Sequence, residues 1–156
     1  MSVGKALALG AISGLRSASG PAFVGRAASR GDMDLEGSRL AFLGRPLLSK
    51  ALTLAQLGEM VGDKLPVTPS RTGWSPLLGR AVSGGLVGAA VFLSEGGRAT
   101  TGAILGSSAA VAAAFAGESL RSLVVSASGL PDAGVAVAED AVVLVTGSQA
   151  TPKGVR

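Results

Sequence analysis

The chain of 156 residues contains no cysteine and no histidine. Disulfides, Cys/His zinc sites, thiol nucleophiles and imidazole acid–base chemistry are therefore excluded. Tyrosine is also absent and Trp74 is the only tryptophan, so there is no aromatic belt of the kind that lines membrane interfaces. The formal charge is a modest +4, without a dense basic patch or stacking aromatics, and no nucleic-acid partner is expected. Neither a G-x-S-x-G elbow nor a phosphate-binding G-x-x-x-x-G-K-[ST] loop occurs. The expectation is a protein that is not an enzyme and carries no cofactor and no metal.

Charge itself is scarce. Only 15% of residues are Asp, Glu, Lys or Arg, and mean hydropathy is +0.50. The hydrophobic share of 47% matches an ordinary soluble protein. The apolar residues, however, are mainly Ala, Val and Leu, accompanied by 24 glycines. Small residues let membrane helices approach closely, because hydrophobicity cannot drive one helix onto another inside lipid.

Apolar stretches run over about Ala6–Ala28 (interrupted by Arg16 and Gly20–Pro21), Leu40–Gly62, Leu77–Ser94, Ala99–Ala116 with a continuation through Leu123–Ala127, and Ala133–Val145. Pro66, Pro69 and Pro76 predict an extended, turn-rich connection over Leu65–Pro76. Only the third and fourth stretches approach the roughly 20 apolar residues that span a bilayer unaided. The fold class expected is all-α: a multi-pass integral membrane bundle of four or five closely packed helices, four without the short last stretch and five with it. Residues 1–147 form a single transmembrane domain and 148–156 a polar tail. Lys5 and the following ALALGAISGL loosely mimic a secretory signal, but Arg16 ends that apolar core, and cleavage is not expected.

Lys and Arg occur in every connection, so the positive-inside rule finds little asymmetry. Either the chain inserts both ways and forms an antiparallel homodimer, or several of these cations are paired and do not count; the second reading is preferred. Gly10/Gly14, Gly58/Gly62, Gly84/Gly88 and Gly102/Gly106 form Gly-x-x-x-Gly pairs, one in each of the first four stretches. They mark either close helix crossings or merely an Ala/Gly-rich composition.

The charges inside the apolar stretches are the candidate site. Glu59 and Asp63 lie one helical turn apart, next to Lys64 and within reach of Arg71 across the proline turns. Two carboxylates at that spacing call for a cation between them or a shared proton. Arg16 is a natural counter-ion. Glu139 and Asp140 sit in the last apolar stretch with no local cation, so Arg16, Arg80 and Arg121 are their candidate partners. Glu118 and Arg121 at i, i+3 neutralise each other locally. The cluster is either an ion- or solute-binding site or an ion-pair clasp that fixes helix ends.

Gly14-Leu15-Arg16-Ser17 with Gly20-Pro21-Ala22, Gly58-Glu59, and Asp63-Lys64-Leu65-Pro66 with Pro69-Ser70-Arg71 resemble the signature of the domain-of-unknown-function 4126 family. Arg80 with Ser83-Gly84, Gly117 with Arg121, and Leu130-Pro131-Asp132 with Glu139-Asp140-Ala141 resemble its later blocks. The sequence departs at Gly117-Glu118-Ser119, where a second glycine is expected. The resemblance implies a small multi-helix membrane protein and supplies no catalytic residues. It marks Arg16, Glu59, Asp63, Lys64, Arg71, Arg80, Glu139 and Asp140 as members of the signature. Leu15–Ser17 and Leu120–Ser122 repeat the triplet LRS, a weak echo of the inverted repeats from which transporters are built. The functional expectation is a small-ion or small-solute transporter or channel-like protein in the lipid bilayer. The alternative is a membrane scaffold or assembly factor held by the charged clasp.

Overall fold

The computed structural model describes residues 2–62, 73–129 and 131–152. Among these, all regular structure is helical: α1 (Ser2–Leu15), α2 (Ser19–Ser29), α3 (Pro46–Gly62), α4 (Trp74–Ser94), α5 (Ala99–Ser128) and α6 (Asp132–Ala150), with a short 3-10 helix at Ala41–Gly44 before α3. Among the described residues six α-helices replace the four or five expected. The first apolar stretch splits in two at Arg16–Ala18, because Pro21 suits only the first turn of a helix and Ser19-Gly20-Pro21 starts one. The last stretch is a full helix that runs on to Ala150, into the predicted polar tail. Pro76 falls in the first turn of α4, where its missing N–H costs nothing, and not in a connection. Gly129, with φ of 66°, ends α5 and lets the chain reverse directly into α6.

Successive helices alternate in direction. Lys5 of α1 pairs with Glu95 just past α4, while Arg80 of α4 reaches Gly14 and Leu15 at the other end of α1, so these helices are antiparallel. Gly10 and Gly14 meet Gly106 and Ala110, placing α1 parallel to α5. Gly20 packs on Leu9 and Ser13, so α2 turns back along α1; Arg26 against Thr53 and Gln56, with Glu59 against Ser17, runs α3 antiparallel to α2. Arg121 and Asp132 bracket the α5–α6 reversal. One end of the bundle, the base, gathers the start of α1, the 30–45 loop, the Glu95–Arg98 turn and Thr151.

The centre is built from small residues. An added Cβ at Gly10 would lie 2.6 Å from the carbonyl oxygen of Gly106, and one at Gly84 2.5 Å from the same atom. Gly88 and Gly102 press equally closely on each other. Three of the Gly-x-x-x-Gly pairs thus hold α1, α4 and α5 backbone to backbone. The fourth does not: among the described residues no atom lies within 4 Å of a Cβ added at Gly58 or Gly62, because α3 packs on α2 through Ser49, Leu52 and Gln56. The inverted repeat is not confirmed. Leu15–Ser17 lies at a helix break and Leu120–Ser122 inside the continuous α5.

The exterior is apolar where a water-soluble bundle would be charged. Leu47, Leu54 and Val61 on α3, Leu78 and Val82 on α4, Ile104 and Leu123 on α5, and Val137 and Val142 on α6 are all exposed, while Arg16, Arg80 and Asp140 are buried. Two helices, α4 and α5, are long and apolar enough to cross a membrane.

Candidate functional site

The buried charges converge on the break between α1 and α2. A helix leaves its last carbonyls and its first amides without intrahelical partners. Both kinds meet here, at the tip of the α1–α2 hairpin, and none of α2's own side chains caps its start. Side chains from other helices fill the roles. Arg80 of α4 donates from one Nη to the carbonyls of Gly14 (2.7 Å) and Leu15 (2.8 Å), closing the C-terminus of α1. Glu59 of α3 takes the N-terminus of α2. Its Oε1 accepts from the N–H (2.8 Å) and hydroxyl (3.0 Å) of Ser17, and its Oε2 from the N–H of Ala18 (2.7 Å).

Each charge opposes the partial charge of the helix end it meets: guanidinium on the negative terminus, carboxylate on the positive one. The two are linked directly, with Arg80 Nη 3.8 Å from Glu59 Oε1. Ser83 adds a hydroxyl donor to the Ser17 carbonyl at 2.5 Å. Arg16, at the tip itself, is fully buried and reaches Asp140 of α6 at 2.7 Å. Five helices therefore meet at one non-helical segment: α1 and α2, which it joins, and α3, α4 and α6, whose side chains reach it. By helical rise the tip lies about 20 Å from the base of the bundle and about 10 Å below the far ends of α4 and α6.

Arg16, Glu59, Arg80 and Asp140 are thus brought together. Glu139, about 100° round the helix from Asp140, takes Arg121 as its partner, at 3.7 Å. Arg121 also holds Asp132 through two hydrogen bonds of 2.7 and 2.5 Å, a fork that ties α5 to the start of α6. An apolar cleft of about 280 Å³, lined by Leu15, Leu120, Val124 and Val142, lies between Arg121 and the tip. Asp63, Lys64 and Arg71 lie outside the described residues. The groups that sequence reasoning missed are the Ser17 and Ala18 amides, the Gly14 and Leu15 carbonyls, and Ser83. The available signal was Ser19-Gly20-Pro21, a helix start inside an apolar run, which implies orphan backbone groups just before it.

No curated protein and no solved structure matches the chain. The model of one family, described as Domain of unknown function (DUF4126), matches residues 3–151, nearly the whole length, and the chain belongs to that family.

Proposed function

We propose that this chain is a multi-pass membrane protein, without enzymatic activity, that binds or moves a small ion or solute at the tip of the α1–α2 hairpin. The observation that carries the reading is a stretch of non-helical backbone, Arg16–Ala18, held deep in an apolar-walled bundle by Glu59, Arg80 and the Arg16–Asp140 pair. Irregular backbone at membrane depth is tolerated only where protein buries it or where it lines a cavity. Broken helices with terminal dipoles aimed at a midplane site are also the usual means by which transporters coordinate small charged cargo. Here Glu59 occupies the amides that an anion would take, and Arg80 the carbonyls that a cation would take. Exchange of either side chain for an ion keeps the helix ends capped.

The test is flux in liposomes carrying the purified protein, with a pH-sensitive dye for protons and separate gradients of potassium, sodium and chloride. Glu59→Gln and Arg16→Ala should lower flux by more than their loss of folded protein accounts for. Transport equal to the parent chain in both variants would end the proposal.

A second reading is favoured by one observation: every charged group at the tip already has a partner within the protein. On that reading the cluster is a clasp, and the protein is a scaffold or assembly factor. Absence of flux, together with one fixed protein copurifying from membranes, selects it.

A further inference from the structure

We propose that the cavity between the end of α2 and the start of α3 binds the phosphate of an anionic phospholipid headgroup. This rests on the membrane reading above. The cavity, about 490 Å³, is lined by Arg26, Ser29, Arg30, Ser49, Lys50 and Thr53, with no carboxylate among its lining residues. Arg26 and Arg30 are four residues apart, so their like charges lie on one face of the chain and repel each other. Lys50 adds a third cation from α3. Among the described residues neither Arg30 nor Lys50 has an ion-pair partner, and both side chains are exposed. An anion seated between them relieves that repulsion.

One wall of the cavity is already fixed. The Arg26 guanidinium lies 4.7 Å from the centre of the Phe23 ring and donates to Thr53 Oγ1 (3.2 Å) and Gln56 Oε1 (3.1 Å). Ser29 and Ser49 lie within 3.4 Å of each other, oxygen to oxygen, beside it. Guanidinium and hydroxyl donors held in place in this way match a tetrahedral phosphate.

Two features select a lipid over free phosphate. The lining ends at Leu54, and the outer face of α3 continues apolar away from the base to Val61, a path for acyl chains leading from the phosphate position toward the middle of the bundle. The cavity also opens at the base of the bundle, where Lys5, Arg30, Arg39, Arg45, Lys50 and Arg98 collect. Lys and Arg gather on the cytoplasmic side of membrane proteins, facing the leaflet whose anionic lipids bind basic pockets between helices.

The experiment is native mass spectrometry of the detergent-purified protein titrated with phosphatidylglycerol, phosphatidylcholine or inorganic phosphate. Phosphatidylglycerol should bind at least 10-fold more tightly than phosphatidylcholine. The double variant R30Q/K50Q should lose about 10-fold of that affinity, while R39Q/R98Q, which removes the same charge outside the cavity, should stay within twofold. Equal loss in both double variants, or no preference for the anionic lipid, overturns the site. Displacement of phosphatidylglycerol by millimolar inorganic phosphate overturns the lipid assignment. An alkaline carbonate wash of membranes separates the parent reading: release of the chain into the soluble fraction refutes membrane insertion whatever the lipid titration gives.

Discussion

Replacing Glu59 with glutamine changes one heavy atom and should loosen the hairpin tip. The carboxylate accepts three hydrogen bonds from Ser17 and Ala18, two of them from backbone amides that no other group caps. Glutamine keeps one acceptor oxygen. Whichever way its amide is turned, an N–H₂ then faces a backbone N–H of the tip, and the charge that complements the start of α2 is gone. Hydrogen bonds to a charged group are worth about 1.5–3 kcal/mol, and leaving a buried donor unsatisfied costs about 1–3 kcal/mol, so opening of the tip should become easier by about 2–4 kcal/mol. At 1.4 kcal/mol per factor of ten, that is an increase of about 30-fold or more in the open population.

The chain has no cysteine, which supplies a clean reporter. Ser13 is fully buried beneath Gly20 of α2, so a Ser13→Cys thiol becomes accessible only when the hairpin parts. The rate of labelling by a membrane-permeant maleimide, measured with and without Glu59→Gln, reads the open population directly when reclosing is fast. A change of less than threefold would refute the assignment of Glu59 as the cap of α2.

Further outcomes follow from the same geometry. Arg16→Met and Asp140→Asn each break a buried ion pair and should destabilise the protein by about 3–5 kcal/mol. The double variant should cost less than the sum, since no charge is left stranded; strict additivity in thermal unfolding would deny the pair. Gly106→Ala drives a methyl group into the Gly84 carbonyl and should cost about 1–3 kcal/mol by overpacking, whereas Gly58→Ala, which meets nothing, should be neutral or slightly stabilising. Equal melting temperatures for these two variants would contradict the crossing. On the proposed multi-pass reading, Ser38→Cys at the base and Ser126→Cys near the end of α5 should react with an impermeant thiol reagent from opposite faces of the membrane, the base from the cytoplasmic one. Labelling of both from the same face rules out the up-and-down arrangement.

Much of the helix inventory was legible because it depends on local features. The apolar runs, the Glu95-Gly96-Gly97-Arg98 turn and the Gly129–Asp132 break mark where α4, α5 and α6 begin and end, and the structure places them within a few residues. The first stretch was misjudged because hydropathy does not register a reversal whose polar groups are satisfied by side chains from α3 and α4. Nothing in the residues themselves sets α1 and α2 side by side, so the cations read as spread over every connection. Once α1 and α2 form a hairpin, Arg30, Arg39, Arg45 and Lys50 fall at the same end as Lys5 and Arg98.

By itself the sequence determined the chemistry available and the class of fold: no thiol or imidazole, few charges, small residues at helical spacing, and membership of a family carried by its charged blocks. It also singled out Arg16, Glu59, Asp63, Lys64, Arg71, Arg80, Glu139 and Asp140 as charges too costly to bury without partners. Which partners they take was decided only by the tertiary structure. Glu59 answers backbone amides that lie 42 residues away, and Arg80 carbonyls 66 away. Backbone donors and acceptors have no signature in residue identity; they become unsatisfied only when a helix ends, and only the packed bundle shows which side chain reaches them.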